Sequence, residues 1–175
     1  MSCKEQTVSP FAEWGMRYFE SGFSVLPVRP GSKVPGPYLS SSRKWINMKG
    51  WSKYCTELPS ADDVEEWSSW PGAGITLMCG PASNVVAIDY DDRDDLHAAI
   101  CAGLGKASPV RKKGKRGYTE FFRYNGERSR SFEVDELTVV EILSEGSHTL
   151  LPPSIHPDTK EPYVWLTPFD LLSLD

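Results

Sequence analysis

"WPGAGITLMCGPASNVVAIDYDD", residues 70–92, carries the reading on which the fold of this chain depends. Its segments "GAGITLMCG" and "SNVVAIDYD" are short apolar runs bounded by turn residues, and each predicts a strand, with a tight "GPAS" connection between them. The second run starts apolar and stops on carboxylates. Asp89 and Asp91 are two apart, so a strand puts both on one face, about 7 Å apart at Cα, with Ile88 and Tyr90 turned the other way. Tyr90 and Asp92 therefore drop out of the candidate pair. On these residues alone two readings stand: a strand running into a polar loop, or two aspartates aimed at divalent cations.

Upstream, "SPFAEWGMRYFESGF" predicts a helix, with Ser9 as N-cap, Pro10 at the first helical position and Gly22 at the end. "FSVLPV" predicts a buried strand. Residues 29–52 are rich in Pro, Gly, Ser and cations and predict a long loop of the kind that carries function. A second helix is expected from Ser60 through "ADDVEEWSSW", its acids placed in the first turn. Downstream, "DDLHAAICAGL" predicts a helix. "GYTEFFRY", "SRSFEV", "LTVVEILS", "HTLLPPS" and "PYVWL" predict strands, and "PFDLLSLD" a final helical turn. Helices mixed with antiparallel strands make the class α+β, in one domain over residues 1–175.

Composition narrows the function. Hydrophobic residues at 39% and charged residues at 25% exclude a disordered or fibrous chain. No apolar run approaches the roughly 20 residues that span a bilayer, and the N-terminus has no hydrophobic signal region, so a cytoplasmic protein is expected. Cys3, Cys55, Cys79 and Cys101 form no CxxC or CxxH pair, which argues against a zinc knuckle. The net charge of -5 hides two opposed clusters: five aspartates between Asp89 and Asp95, and six cations in "KASPVRKKGKR", residues 106–116. Such separation suits a site where metal ions meet phosphates, and also suits a solvated charged loop.

Two further stretches add chemistry. Glu141 is the charged residue inside the apolar run "LTVVEILS", where a carboxylate needs a cation, a metal or a hydrogen-bond network. In "LLPPSIHPDTKEPYVW", Ser154 and His156 are two apart and follow a double proline; taken in isolation the stretch reads as a plain hairpin with His156 at the surface.

Taken together, these segments resemble the N-terminal primase–polymerase domain of the archaeo-eukaryotic primase superfamily, of the phage and plasmid replication type. "FSVLPVRPGSKVP" follows the N-terminal helix, and "NVVAIDYDD" matches an hDhD metal motif. "RGYTEFF" stands at the second motif, and "VVEIL" with "GSHTLLPPSIHPDTKEPYVW" at the third, so the likeness covers roughly residues 10–166. The resemblance implies an N-terminal α/β unit packed on an RRM-like antiparallel sheet. It implies Asp89, Asp91 and Glu141 as ligands of two Mg²⁺ or Mn²⁺ ions and as the catalytic acids. At the second motif Thr119 stands at or next to the place of a histidine that contacts nucleotide phosphates. Lys113, Lys115, Arg116, Thr119, Ser154 and His156 are then the candidate nucleotide and phosphate ligands, and Lys33, Arg111 and Lys112 the nucleic-acid contacts. Tyr38, Trp45 and Trp51 are candidates for stacking on bases.

The reaction implied is nucleotidyl transfer from a nucleoside triphosphate onto a DNA primer or an initiating nucleotide, with a helicase domain as a possible companion in a larger protein. The competing expectations are a non-catalytic replication-initiator module with this fold, and a two-metal nuclease using the same three acids.

Overall fold

Two antiparallel sheets meet where the "GPAS" connection carries the chain from one into the other. The structure is a computed structural model and describes residues 8–91, 99, 103 and 107–175. The first sheet joins β1 (Val25–Val28), β4 (Gly74–Met78) and β10 (His148–Leu150), in the order β1-β4-β10. The second joins β5 (Val85–Tyr90), β6 (Arg111–Lys113), β7 (Tyr118–Arg123), β8 (Arg130–Val134) and β9 (Leu137–Leu143), in the order β6-β7-β5-β9-β8.

The two strands predicted in residues 70–92 are thus consecutive but belong to different sheets. The switch is made by a two-way backbone bridge: Gly80 N–H donates to Val85 O at 2.7 Å and Val85 N–H to Gly80 O at 3.3 Å. Gly80 has φ +117, and a Cβ there would meet Cys55 O at 3.1 Å, so glycine is required on both counts.

Both expected helices form where their caps predict. α1 (Pro10–Glu20) starts with Ser9 Oγ accepting from Ala12 N–H and with Pro10 at N1. α2 (Ala61–Ser68) starts with a reciprocal capping box between Ser60 and Asp63. α1 packs on β1, β4 and α2. It buries Phe11 and Tyr18 completely, each such ring stabilising by about 2–3 kcal/mol. Phe11 and Tyr54 both meet Trp67 edge-on, each at 6.0 Å between centroids.

Several loops differ from expectation. Residues 29–52 contain a two-rung hairpin, β2 (Tyr38–Leu39) with β3 (Lys44–Trp45). Trp51–Cys55 is a 3₁₀ turn. Part of the basic run is a strand, because β6 pairs with β7 through the Arg111↔Glu120, Lys112↔Thr119 and Lys113↔Tyr118 registers. "PYVWL" makes isolated bridges instead of a strand, Lys112↔Trp165 and Ile155↔Pro162, its proline lacking the donor a ladder needs. The tail closes in a 3₁₀ turn, Leu171–Ser173, capped by Asp170. In the stretch "DDLHAAICAGL" Ala99 and Gly103 are described and helical; the rest of the expected helix and Asp92 lie outside the described residues.

The core explains why β5 ends as it does. Val85, Ala87 and Phe121 face the same cluster as Ile75, Leu77 and Phe11. Asp89 continues that face one step beyond Ala87, so the strand leaves the core and enters a cleft without changing side. Tyr90 on the reverse face joins a separate cluster with Val139 and Val140.

Candidate active site

One cross-strand row runs the width of the five-stranded sheet. Lys112 is the partner of Thr119, Thr119 of Asp89, Asp89 of Glu141, and Glu141 of Ser131. Directly opposed residues of antiparallel strands share a face, so five strands place a cation, a hydroxyl, two acids and a hydroxyl in line. Each acid is held from its outer side. The Thr119 hydroxyl donates to Asp89 Oδ1 at 2.6 Å, and the Ser131 hydroxyl to Glu141 Oε1 at 3.1 Å. Neither acid makes an ion pair with a described residue, and Oδ2 of Asp89 and Oε2 of Glu141 carry no hydrogen bond from one. Two carboxylates directly opposite one another destabilise a sheet unless something between them is positive.

The row forms one wall of a cleft of about 380 Å³. Asp91 lies on it at the end of β5, its N–H still donating to Val139 O at 3.0 Å. Lys33, Lys115, Arg116, His156 and Tyr163 also line it, together with His148 and Thr149 from the other sheet. The cations arrive from two loops: Lys33 from the turn after β1, and Lys115 and Arg116 from the turn between β6 and β7. That second turn is closed by Gly114 N–H donating to Gly117 O at 2.8 Å. Lys115 Nζ lies 3.0 Å from Asp158, which depresses the Asp158 carboxyl.

Lys112 is nearly enclosed, its ammonium 4.5 Å above the Tyr163 ring. Burial pushes its pKa down to about 8, against the opposing pull of Asp89. It therefore belongs to the acid row and not to an open nucleic-acid surface. His156 is also buried, and its pKa is lowered by burial and then by Lys33. Its Nδ1 accepts from the Asp158 and Thr159 N–H groups at 3.1 and 3.3 Å, which puts the neutral ring's proton on Nε2.

Other expected site residues sit elsewhere or are already engaged. Thr119 is fully buried and its hydroxyl proton is committed to Asp89, so its position is that of a carboxylate holder and not of a phosphate donor. Ser154 Oγ accepts from Ile75 N–H at 2.8 Å and donates to Ile75 O at 3.0 Å, clipping the "PPS" segment to β4 away from the cleft. Arg111 points to the reverse face, where its Nε meets the fully buried Glu120 at 2.9 Å. Lys113 lies along a neighbouring groove with Thr159 and Val164. Tyr38 and Trp45 pack on each other, and Trp45 on Trp70, so both are part of the wall over the core.

His148 in the cleft wall, and Ser131 behind Glu141, are residues that sequence reading missed. Ser131 had no signal beyond its strand, since its role follows from a register that only the folded sheet defines. His148 was visible as a polar residue opening the apolar run "HTLLPPS".

Among the described residues no three His, Cys, Asp or Glu side chains are gathered closely enough to hold an ion as they stand. The donor set is nonetheless all hard carboxylate oxygen, with two acids opposed and two of their oxygens open, which fits Mg²⁺ or Mn²⁺ and not a soft metal.

The protein family described as bifunctional DNA primase/polymerase, N-terminal, matches residues 15–173 of the chain. A comparison with curated proteins gave no match.

Proposed function

The chain belongs to this bifunctional DNA primase/polymerase N-terminal family, and from that premise we propose that its cleft carries out template-directed nucleotidyl transfer from a nucleoside triphosphate to a DNA or nucleotide 3′ hydroxyl. The observation that carries the proposal is the Asp89–Glu141 cross-strand pair, two opposed acids facing a cleft whose other walls bring Lys33, Lys115, Arg116 and His156. A nuclease would use the same acids but has no need of a triphosphate site. The setting that fits the resemblance is replication of a phage, plasmid or other mobile element, with the five-stranded sheet as the RRM-like half of the fold.

Asp89, Asp91 and Glu141 are the residues that would hold two divalent cations, which when bound lower the pKa of an attacking hydroxyl and offset charge on the leaving pyrophosphate. The protein's own part is placement. Thr119 and Ser131 fix one oxygen of each opposed acid and leave the second facing the cleft. Lys33, Lys112, Lys115 and Arg116 offset the charge of a triphosphate, and His156 presents Nε2–H to a phosphate oxygen. The low-dielectric wall around Lys112 strengthens each of these interactions relative to open water.

Incorporation of dNTPs on a primed template with Mg²⁺ or Mn²⁺ tests the proposal. Wild-type protein is expected to extend the primer, and Asp89→Asn to reduce extension at least 100-fold. A wild-type protein that binds template and dNTP but extends nothing would instead be a binding module. The Thr119 hydroxyl closed on Asp89 favours this second reading, because it leaves the second motif without a phosphate donor.

A further inference from the structure

The three-stranded sheet contributes one polar ring to the cleft that no strand of the acid row supplies. His148 begins β10, pairs with Met78 across β4, and lines the same cleft as Asp89 and Glu141 from the facing wall. Its Nδ1 lies 3.0 Å from Oγ1 of the fully buried Thr76. Its ring meets Trp51 edge-on at 4.8 Å. These two contacts fix the plane of the imidazole. His148 lines the cleft, and Nε2, the ring nitrogen turned away from Thr76, makes no hydrogen bond to a described residue.

We propose that His148 is a phosphate ligand of the nucleotide, donating from Nε2 across the cleft from the acid row. This rests on the nucleotidyl-transfer reading of the same cleft. Two hydroxyls that sequence reading assigned to phosphate are already committed, Thr119 to Asp89 and Ser154, outside the cleft, to Ile75. An imidazole kept neutral offers one N–H and one lone pair, and a rotatable hydroxyl serves either tautomer. A phosphate oxygen at Nε2 selects the Nε2–H form, with Thr76 turning its proton toward Nδ1. The neutral ring adds a directed donor without adding charge beside Lys112; burial first, and then that ammonium, hold the ring neutral. His156 reaches the same tautomer by a different route, through two backbone N–H groups on Nδ1. The cleft is then lined by two imidazoles that can each present Nε2–H to a phosphate oxygen.

Binding of dATP and of inorganic tripolyphosphate, each with Ca²⁺ so that no turnover occurs, tests this by calorimetry on three proteins. His148→Phe keeps the ring and its Trp51 contact but has no donor; His148→Gln keeps an N–H at the Nε2 position. Expected is a roughly 10-fold rise in Kd for both ligands in His148→Phe, within the range of one hydrogen bond to a charged group, and recovery to within about 3-fold in His148→Gln. A ¹⁵N spectrum of wild-type His148 should move to the pure Nε2–H tautomer on adding tripolyphosphate. Three results would overturn the proposal: equal Kd values in wild type and folded His148→Phe, a loss confined to dATP, or no tripolyphosphate binding by wild type. Failure of primer extension with the binding pattern intact would sink the polymerase reading and leave this contact standing.

Discussion

The Thr119 hydroxyl donates to Asp89 Oδ1 across adjacent strands at 2.6 Å, so β7 supplies a fixed partner for the carboxylate that β5 carries into the cleft. Its β-branched shape suits a strand, and its burial leaves the hydroxyl no competing water. Thr119→Val preserves that shape and removes the donor. Asp89 still faces the cleft, where water replaces the lost bond, so the cost to stability is expected near the lower end for charged hydrogen bonds, about 1.5 kcal/mol. The larger effect falls on function: a carboxylate free to rotate should raise the Mn²⁺ concentration for half-maximal primer extension several-fold. Urea melts and a Mn²⁺ titration of extension measure the two effects separately.

Asp89 and Glu141 face each other with no cation between them among the described residues. Neutralising either acid should therefore stabilise the metal-free protein. Asp89→Asn and Glu141→Gln are each expected to gain up to about 1 kcal/mol without divalent ions, the scale of a like-charge cross-strand pair. Wild type should gain more than either variant when Mg²⁺ or Mn²⁺ is added, because ligands that bind only the folded state raise its stability by mass action. Melting temperatures with and without 10 mM-scale metal give the comparison. Variants that melt lower than wild type in a chelator would show that the pair is not repulsive.

Ser154 holds both polar groups of the Ile75 backbone inside the protein. Ser154→Ala leaves that N–H without its partner in a buried place, at a cost of about 1–3 kcal/mol. For a chain of this size each kcal/mol lowers Tm by roughly 2–4 °C. The dNTP affinity of the folded variant should stay within 2-fold of wild type. A large rise in Kd with unchanged Tm would return Ser154 to the phosphate site.

The elements that sequence could show are those fixed by neighbours in the chain. Ser9 with Pro10, and Ser60 with Asp63, declare helix starts through bonds that span three residues. The alternation in "VVAIDYD" declares which side chains share a face, and that face does carry Val85 and Ala87 in the core and Asp89 in the cleft. What depends on register between distant strands was not legible. Arg111 and Lys112 look alike as cations in a basic run, yet β6 turns one to Glu120 on the reverse face and the other to the acid row. The sheet switch at Gly80 was hidden for the same reason, since a short connection between two apolar runs reads as a hairpin until their partners are known. The isolation of Glu141 was legible because burying an unpaired charge costs energy wherever the partner comes from; its hydroxyl partner on β8 was not.

His148 makes the acid limb of stability steeper. Burial, and then Lys112, push its pKa from 6.5 to about 4. Above pH 6.5 the ring is neutral in both folded and unfolded chains and contributes no pH dependence. Between pH 6.5 and 4 the unfolded chain takes up the proton and the folded chain does not, so stability falls as pH falls; below 4 both are protonated and the loss is complete. By linkage, the part due to this ring between pH 7 and 4.5 is roughly 2 kcal/mol. His148→Gln removes the titrating group and keeps an amide within reach of Thr76. Urea midpoints at the two pH values should therefore converge in the variant by that amount relative to wild type. Carboxylates that begin to take up protons at the lower pH act equally in both proteins and cancel in the difference. A wild-type protein whose extra acid sensitivity survives the substitution would place the effect on another group and would mean that His148 is solvated in the folded state.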